Sequence, residues 1–82
     1  MKPSNKRQPS PSSRSTELGE FFKNKRLQAG LSSEMVASYL GISQEVLENY
    51  ELGLSTIPLN HIYGLSNCLN ISPDLIVKKL GE

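Results

Sequence analysis

Gln44, Glu45, Glu48 and Asn49 are the side chains of this sequence whose types and spacing point to a definite chemistry. A carboxamide can hold the N6 and N7 atoms of an adenine edge with two hydrogen bonds, and a carboxylate can accept from N4 of cytosine. All four fit the outward side of one helix, because Leu47 and Tyr50, three apart, share a face and point inward. Bond-making chemistry has no comparable signal. The chain shows no nucleophile–base pair, glycine-rich phosphate loop or paired-carboxylate arrangement, so neither an enzyme nor a cofactor is expected. His61 falls near the start of a helix with no ligand set around it and reads as a surface histidine. Cys68 reads as a small buried hydrophobe, and no Cys/His cluster has metal spacing.

Positioning those four residues requires two short helices crossing at a tight turn, read from the stretch SEMVASYLGISQEVLENYE, residues 33 to 51. Ala37 is small where the helices press together, Gly41 can take the positive φ that ends the first of them, and Ser43 can cap the second. Ser32 caps the earlier helix, expected from Ser33 to Leu40, although Met35 leaves its capping box incomplete. The helix from Gln44 to about Leu52 ends at Gly53. A polar face turned outward from the second of two such helices is how many proteins read the major groove of DNA.

The flanking sequence supplies three more helices. Ser15 or Thr16 can cap the first, with Glu17 and Glu20 near its positive end. Leu18, Phe21, Phe22 and Ala29 take its apolar side, and Gly30 closes it. Arg26 falls between its two faces, either solvated or held by a carboxylate. After a connection from Gly53 to Pro58, a fourth helix from about Leu59 to Leu69 turns Ile62, Leu65, Ser66 and Leu69 inward. Ser72, Pro73 and Asp74 give a cap, a first-turn proline and a dipole-compatible acid for a short last helix through Leu80. The expected fold is all-α, with five helices in residues 17–82.

Residues 1–16 read as a disordered basic tail rich in Ser and Pro, since they hold too little apolar surface to fold. Formal net charge is +1 for the 82 residues. The tail carries Lys2, Lys6, Arg7 and Arg14 with no acid, hence +4; five basic and eight acidic residues leave the remainder at −3. That balance is unusual for a DNA-binding body, since nonspecific affinity comes mostly from cationic side chains displacing counterions. The tail is therefore read either as an arm along the DNA backbone or as a solubilising segment. One cysteine excludes an internal disulfide, and no apolar run approaches the roughly 20 residues that span a bilayer. A soluble, cytoplasmic protein is expected.

The stretch LGEFFKNKRLQAGLSSEMVASYLGISQEVLENYELG, continued by IPLNHIYGLSNCLNISPDLI, resembles the Cro/C1-repressor-type helix-turn-helix family, also called the xenobiotic-response-element type. Arg26, Gly30-Leu31-Ser32, Ala37, Leu40-Gly41-Ile42-Ser43, Glu51 and Gly53 stand where members carry the same or similar residues. The resemblance implies a phage-repressor-like DNA-binding domain acting in transcription regulation, as a homodimer on a two-fold site. It places Gln44, Glu45, Glu48 and Asn49 at base-contact positions. Ser32, Ser33, Ser55 and Thr56 fall toward the DNA backbone; the tail lies outside the resemblance, and Lys6, Arg7 and Arg14 are further backbone candidates by their charge if it serves as an arm. The resemblance also implies an ion pair between Arg26 and Glu51. Ser33 replaces a frequent Gln, Glu45 and Glu48 replace polar or basic residues, and Leu52 to Thr56 lacks the usual Lys or Arg. These departures keep an alternative open: a protein–protein interaction module whose surface is Glu45, Glu48, Leu52 and Leu54.

Overall fold

The structure, a computed structural model, describes residues 13–81, with side chains from residue 16 onward. It consists of α1 (Ser13–Gln28), α2 (Ser33–Leu40), α3 (Gln44–Leu52), α4 (Leu59–Leu69) and α5 (Pro73–Leu80). No strand occurs among the described residues. Serine starts three of these helices for a local reason. The Oγ atoms of Ser32, Ser43 and Ser72 accept from the backbone N–H of Met35, Val46 and Asp74 at 3.1, 3.1 and 3.3 Å. Each satisfies a donor that has no partner within its helix.

The ends are equally specified. At the end of α2 the chain reverses through Gly41 at φ 74°, and Ile42 N–H returns to the carbonyl of Ala37 at 3.0 Å. Gly53 does the same for α3 at φ 78°, with Leu54 N–H on the carbonyl of Asn49 at 2.9 Å. An L side chain is strained in that left-handed conformation, which is why glycine occupies both positions. Asn70 closes α4 at φ 57°, one of the few non-glycine residues suited to that conformation.

α1 begins earlier than the sequence indicates: Ser15 and Thr16 are helical residues rather than caps, and Glu17 lies beyond the first turn, which holds no acid. A tertiary contact accompanies the extra turn. The Thr16 backbone lies against Gly53, so close that a Cβ on Gly53 would come within 2.7 Å of the Thr16 Cα. At the other end, Ala29 is exposed instead of facing the core. The tail expectation for residues 1–12 lies outside the described residues.

Phe22, Val36, Leu47, Leu65 and Ile76 are the largest side chains almost fully removed from water, and they come from five different helices. Ile57 and Ile71, in the connections on either side of α4, are also buried. Leu18, Phe21, Leu40 and Cys68 pack around this cluster. α1 and α3 approach closely at Gly19, where a Cβ would meet the backbone carbonyls of Tyr50 and Glu51. Glycine therefore sets how near α3 can lie to the body.

Candidate nucleic-acid interface

α3 is fixed from behind by an ion pair. Arg26 on α1 donates from Nε to Glu51 Oε2 at 2.8 Å and from Nη2 to Glu51 Oε1 at 3.1 Å. Its Nη1 donates to the Leu31 carbonyl at 3.0 Å. Both residues are more than nine-tenths buried. Such a fork-to-carboxylate grip orients as well as attracts. The hydrogen bond to Glu51 pushes the pKa of the Arg26 guanidinium up, against the opposite effect of burial; the charges of Glu51 and Glu48 add to the rise. One planar contact thus ties the end of α3 to α1 and to the turn leading into α2.

A second restraint lies at the bottom of α3. The hydroxyl of buried Tyr50 sits 2.9 Å from Nδ1 of His61 on α4, and their ring centroids are 5.8 Å apart. His61 is half-buried and engaged in this contact, not the freely solvated surface histidine the sequence indicated. Nothing local signals it: the two residues are eleven apart and separated by a turn and a connection.

With Leu47, Tyr50 and Glu51 buried, α3 exposes Gln44, Glu45 and Glu48, while Asn49 is half-buried at the flank. At roughly 100° per residue, Gln44 and Asn49 stand about 140° apart around the helix, so the two amides do not form one stripe. Ser33, Gln44 and Glu48 do come together. Gln44 Nε2 donates to Ser33 Oγ at 2.8 Å and to Glu48 Oε2 at 3.2 Å, and Ser33 Oγ lies 3.5 Å from the same carboxylate oxygen. The start of α2 is thereby joined to the first turn of α3.

The remaining candidates are spread around this centre. Ser32 sits at the cap of α2 with its Oγ engaged by Met35, and Ser55 and Thr56 are exposed in the connection before α4. Leu52 and Leu54 are 59% and 65% exposed, so neither folds back onto α4. Arg14 lies in the first turn of α1, whereas Lys6 and Arg7 fall outside the described residues. None of the four lysines described, Lys23, Lys25, Lys78 and Lys79, belongs to α2 or α3. Lys25 and Lys79 place their ammonium groups 5.7 and 5.8 Å from the Phe21 ring centroid on α1.

Residues 22–76 match the sequence profile of a helix-turn-helix family, covering α2, α3 and α4 with parts of α1 and α5. The chain belongs to the Cro/C1-type helix-turn-helix family. It is also similar to the SPbeta prophage-derived uncharacterized HTH-type transcriptional regulator YonR of Bacillus subtilis (strain 168), with 35% identity over 61 residues. That alignment covers 74% of this chain and 56% of the relative, so the chain spans little more than half the length of the protein it matches. The Arg26–Glu51 pair and the Tyr50–His61 contact hold the inner side of α3 and leave Gln44, Glu45 and Glu48 exposed. No helix among the described residues is long and apolar enough to cross a membrane.

Proposed function

We propose that the protein is a small transcriptional regulator that binds double-stranded DNA by laying α3, residues 44–52, in the major groove. The observation that carries this reading is the exposed polar first turn of α3, joined to the start of α2 through Ser33, Gln44 and Glu48. A major groove about 12 Å wide admits one helix, and the preceding helix then crosses the sugar–phosphate backbone. Ser32, Ser33, Ser55 and Thr56 lie at the ends of α2 and α3 where phosphates would run, with backbone amides beside them. The relative's designation as a transcriptional regulator supports the same reading.

One such module contacts too few base pairs for useful selectivity, so the DNA-bound form is proposed to be a homodimer on a two-fold site. Cytoplasmic placement follows from that role. Titration of the full chain with a selected duplex and with an unrelated duplex, at two salt concentrations, tests the proposal. Specific binding by a regulator should exceed nonspecific binding by about 10³-fold or more. Equal, weak binding to both duplexes by a folded sample would sink it. The rival reading, a protein-interaction module using Glu45, Glu48, Leu52 and Leu54, is favoured by the exposure of the two leucines and the absence of lysine or arginine on α3. Under it, Leu54→Asp abolishes a partner complex and leaves DNA binding unmeasurable in both native chain and variant.

A further inference from the structure

The hydrogen bonds of Gln44 restrict what α3 can read. A primary carboxamide has two N–H donors and one carbonyl acceptor. Nε2 of Gln44 donates within the protein to two acceptors, Ser33 Oγ at 2.8 Å and Glu48 Oε2 at 3.2 Å, and we assign one N–H to each. The orientation of the amide is fixed by chemistry, since a carboxylate can only accept and must therefore face Nε2 and not Oε1. What remains for a ligand is the Gln44 carbonyl oxygen, the second oxygen of Glu48 and the carboxylate of Glu45. These are all acceptors.

Resting on the DNA-binding reading above, we propose that the first turn of α3 selects amino groups in the major groove. The base facing Gln44 and Glu48 is then adenine or cytosine, and guanine or thymine is rejected there. Every base pair carries one major-groove amino group, N6 of adenine or N4 of cytosine, while guanine offers N7 and O6 and thymine offers O4 as acceptors. An acceptor-only reader therefore distinguishes which strand holds the amino group and tolerates exchange of A·T for C·G. This differs from the two-bond adenine contact that a free glutamine makes, which needs an N–H for N7.

Docking strengthens the restriction. In the free protein, Gln44, Glu45 and Glu48 are exposed and water can compete for their hydrogen bonds. In a groove that water is displaced, and a Glu48 oxygen deprived of Gln44 would keep only its long 3.5 Å contact with Ser33 Oγ near phosphates. The intramolecular bonds then become the lowest-cost arrangement available to the three side chains.

Random-site selection with the full chain tests the proposal. The native protein should enrich adenine and cytosine together, over guanine and thymine, at one position of each half-site by about tenfold. Glu48→Ala frees one N–H of Gln44, so that position should narrow to adenine. Enrichment of guanine or thymine there, or an unchanged profile in Glu48→Ala, overturns the inference while leaving DNA binding intact. Failure to select any sequence overturns the DNA reading and this inference with it. A measurement without DNA separates the two: the Gln44 side-chain amide resonances should lie apart from those of exposed Gln28 and move toward them in a Ser33→Ala/Glu48→Ala variant. Coincidence of the native Gln44 and Gln28 signals would show that the amide is uncommitted and would overturn the inference directly.

Discussion

At the scale of single residues, Glu51 is where position and stability meet, because its carboxylate grips the buried Arg26 and also belongs to α3. Removing one member of a buried pair leaves the other charge desolvated without compensation. Glu51→Ala should therefore cost on the order of 3 kcal/mol, a large share of the stability of a small domain, and lower the thermal midpoint accordingly. An unchanged midpoint would mean that water replaces the carboxylate without loss. Cys68 offers a test of a different kind. It packs against the core from a half-buried site, and that burial pushes its thiol pKa up. The thiolate is the reactive form, so iodoacetamide should label the native protein at pH 8 more slowly than a free cysteine peptide. Labelling should accelerate once denaturant unfolds the chain. The same sign makes the contribution of Cys68 to stability largest below the thiol pKa of the unfolded chain, and lost as pH rises through the raised native value.

At the scale of elements, the position of α3 depends on a glycine that carries no chemistry. Gly19 lies inside α1, where replacement by alanine ordinarily gains about 1 kcal/mol of helix propensity. Here the new methyl would meet the carbonyl of Tyr50 and come within 2.7 Å of that of Glu51. Those atoms are backbone and cannot rotate aside. Gly19→Ala is thus expected to destabilise by about 1–3 kcal/mol of overpacking and to displace α3 from α1. A chemical-denaturation midpoint at or above that of the native protein would contradict this. If the fold survives the displacement, DNA affinity should fall as well, since the angle of α3 to α2 is what presents its first turn.

At the scale of the whole molecule, the charges are divided between a body at −3 and an N-terminal segment at +4. The four lysines of the body lie on α1 and α5, and Arg26 is neutralised by Glu51, so the α2–α3 surface has little cationic attraction of its own. If the N-terminal segment supplies that attraction, deletion of residues 1–12 should weaken DNA binding. The slope of log affinity against log salt should shrink by about 0.9 for each of Lys2, Lys6 and Arg7 that meets a phosphate. The cut stops before Ser13 because α1 begins there. Identical affinity and salt slope in the truncated protein would assign the segment a solubilising role.

Helix order, and the caps and ends of the helices after α1, were determined by the sequence itself, because each depends on a residue's own backbone preferences and its nearest neighbours. Ser32, Ser43, Gly41, Gly53 and Ser72 stand where such short-range rules place them, and the bounds of α2 and α3 and the start of α5 follow from them. The inward stripe of α4 was equally legible, since Ile62, Leu65, Ser66 and Leu69 follow the helical period. Only the tertiary structure decided the rest. The extra turn of α1 meets Gly53 through Thr16, 37 positions away in sequence, and Gly19 meets Tyr50 across 31, separations that no local pattern records. The same holds for the site. Sequence put Gln44, Glu45 and Glu48 on an outward face, but whether the Gln44 amide faces a base with its N–H groups or only its oxygen depends on how close Ser33 and Glu48 stand. That distance is set by the crossing of α2 and α3, a property of packed helices rather than of any residue in them.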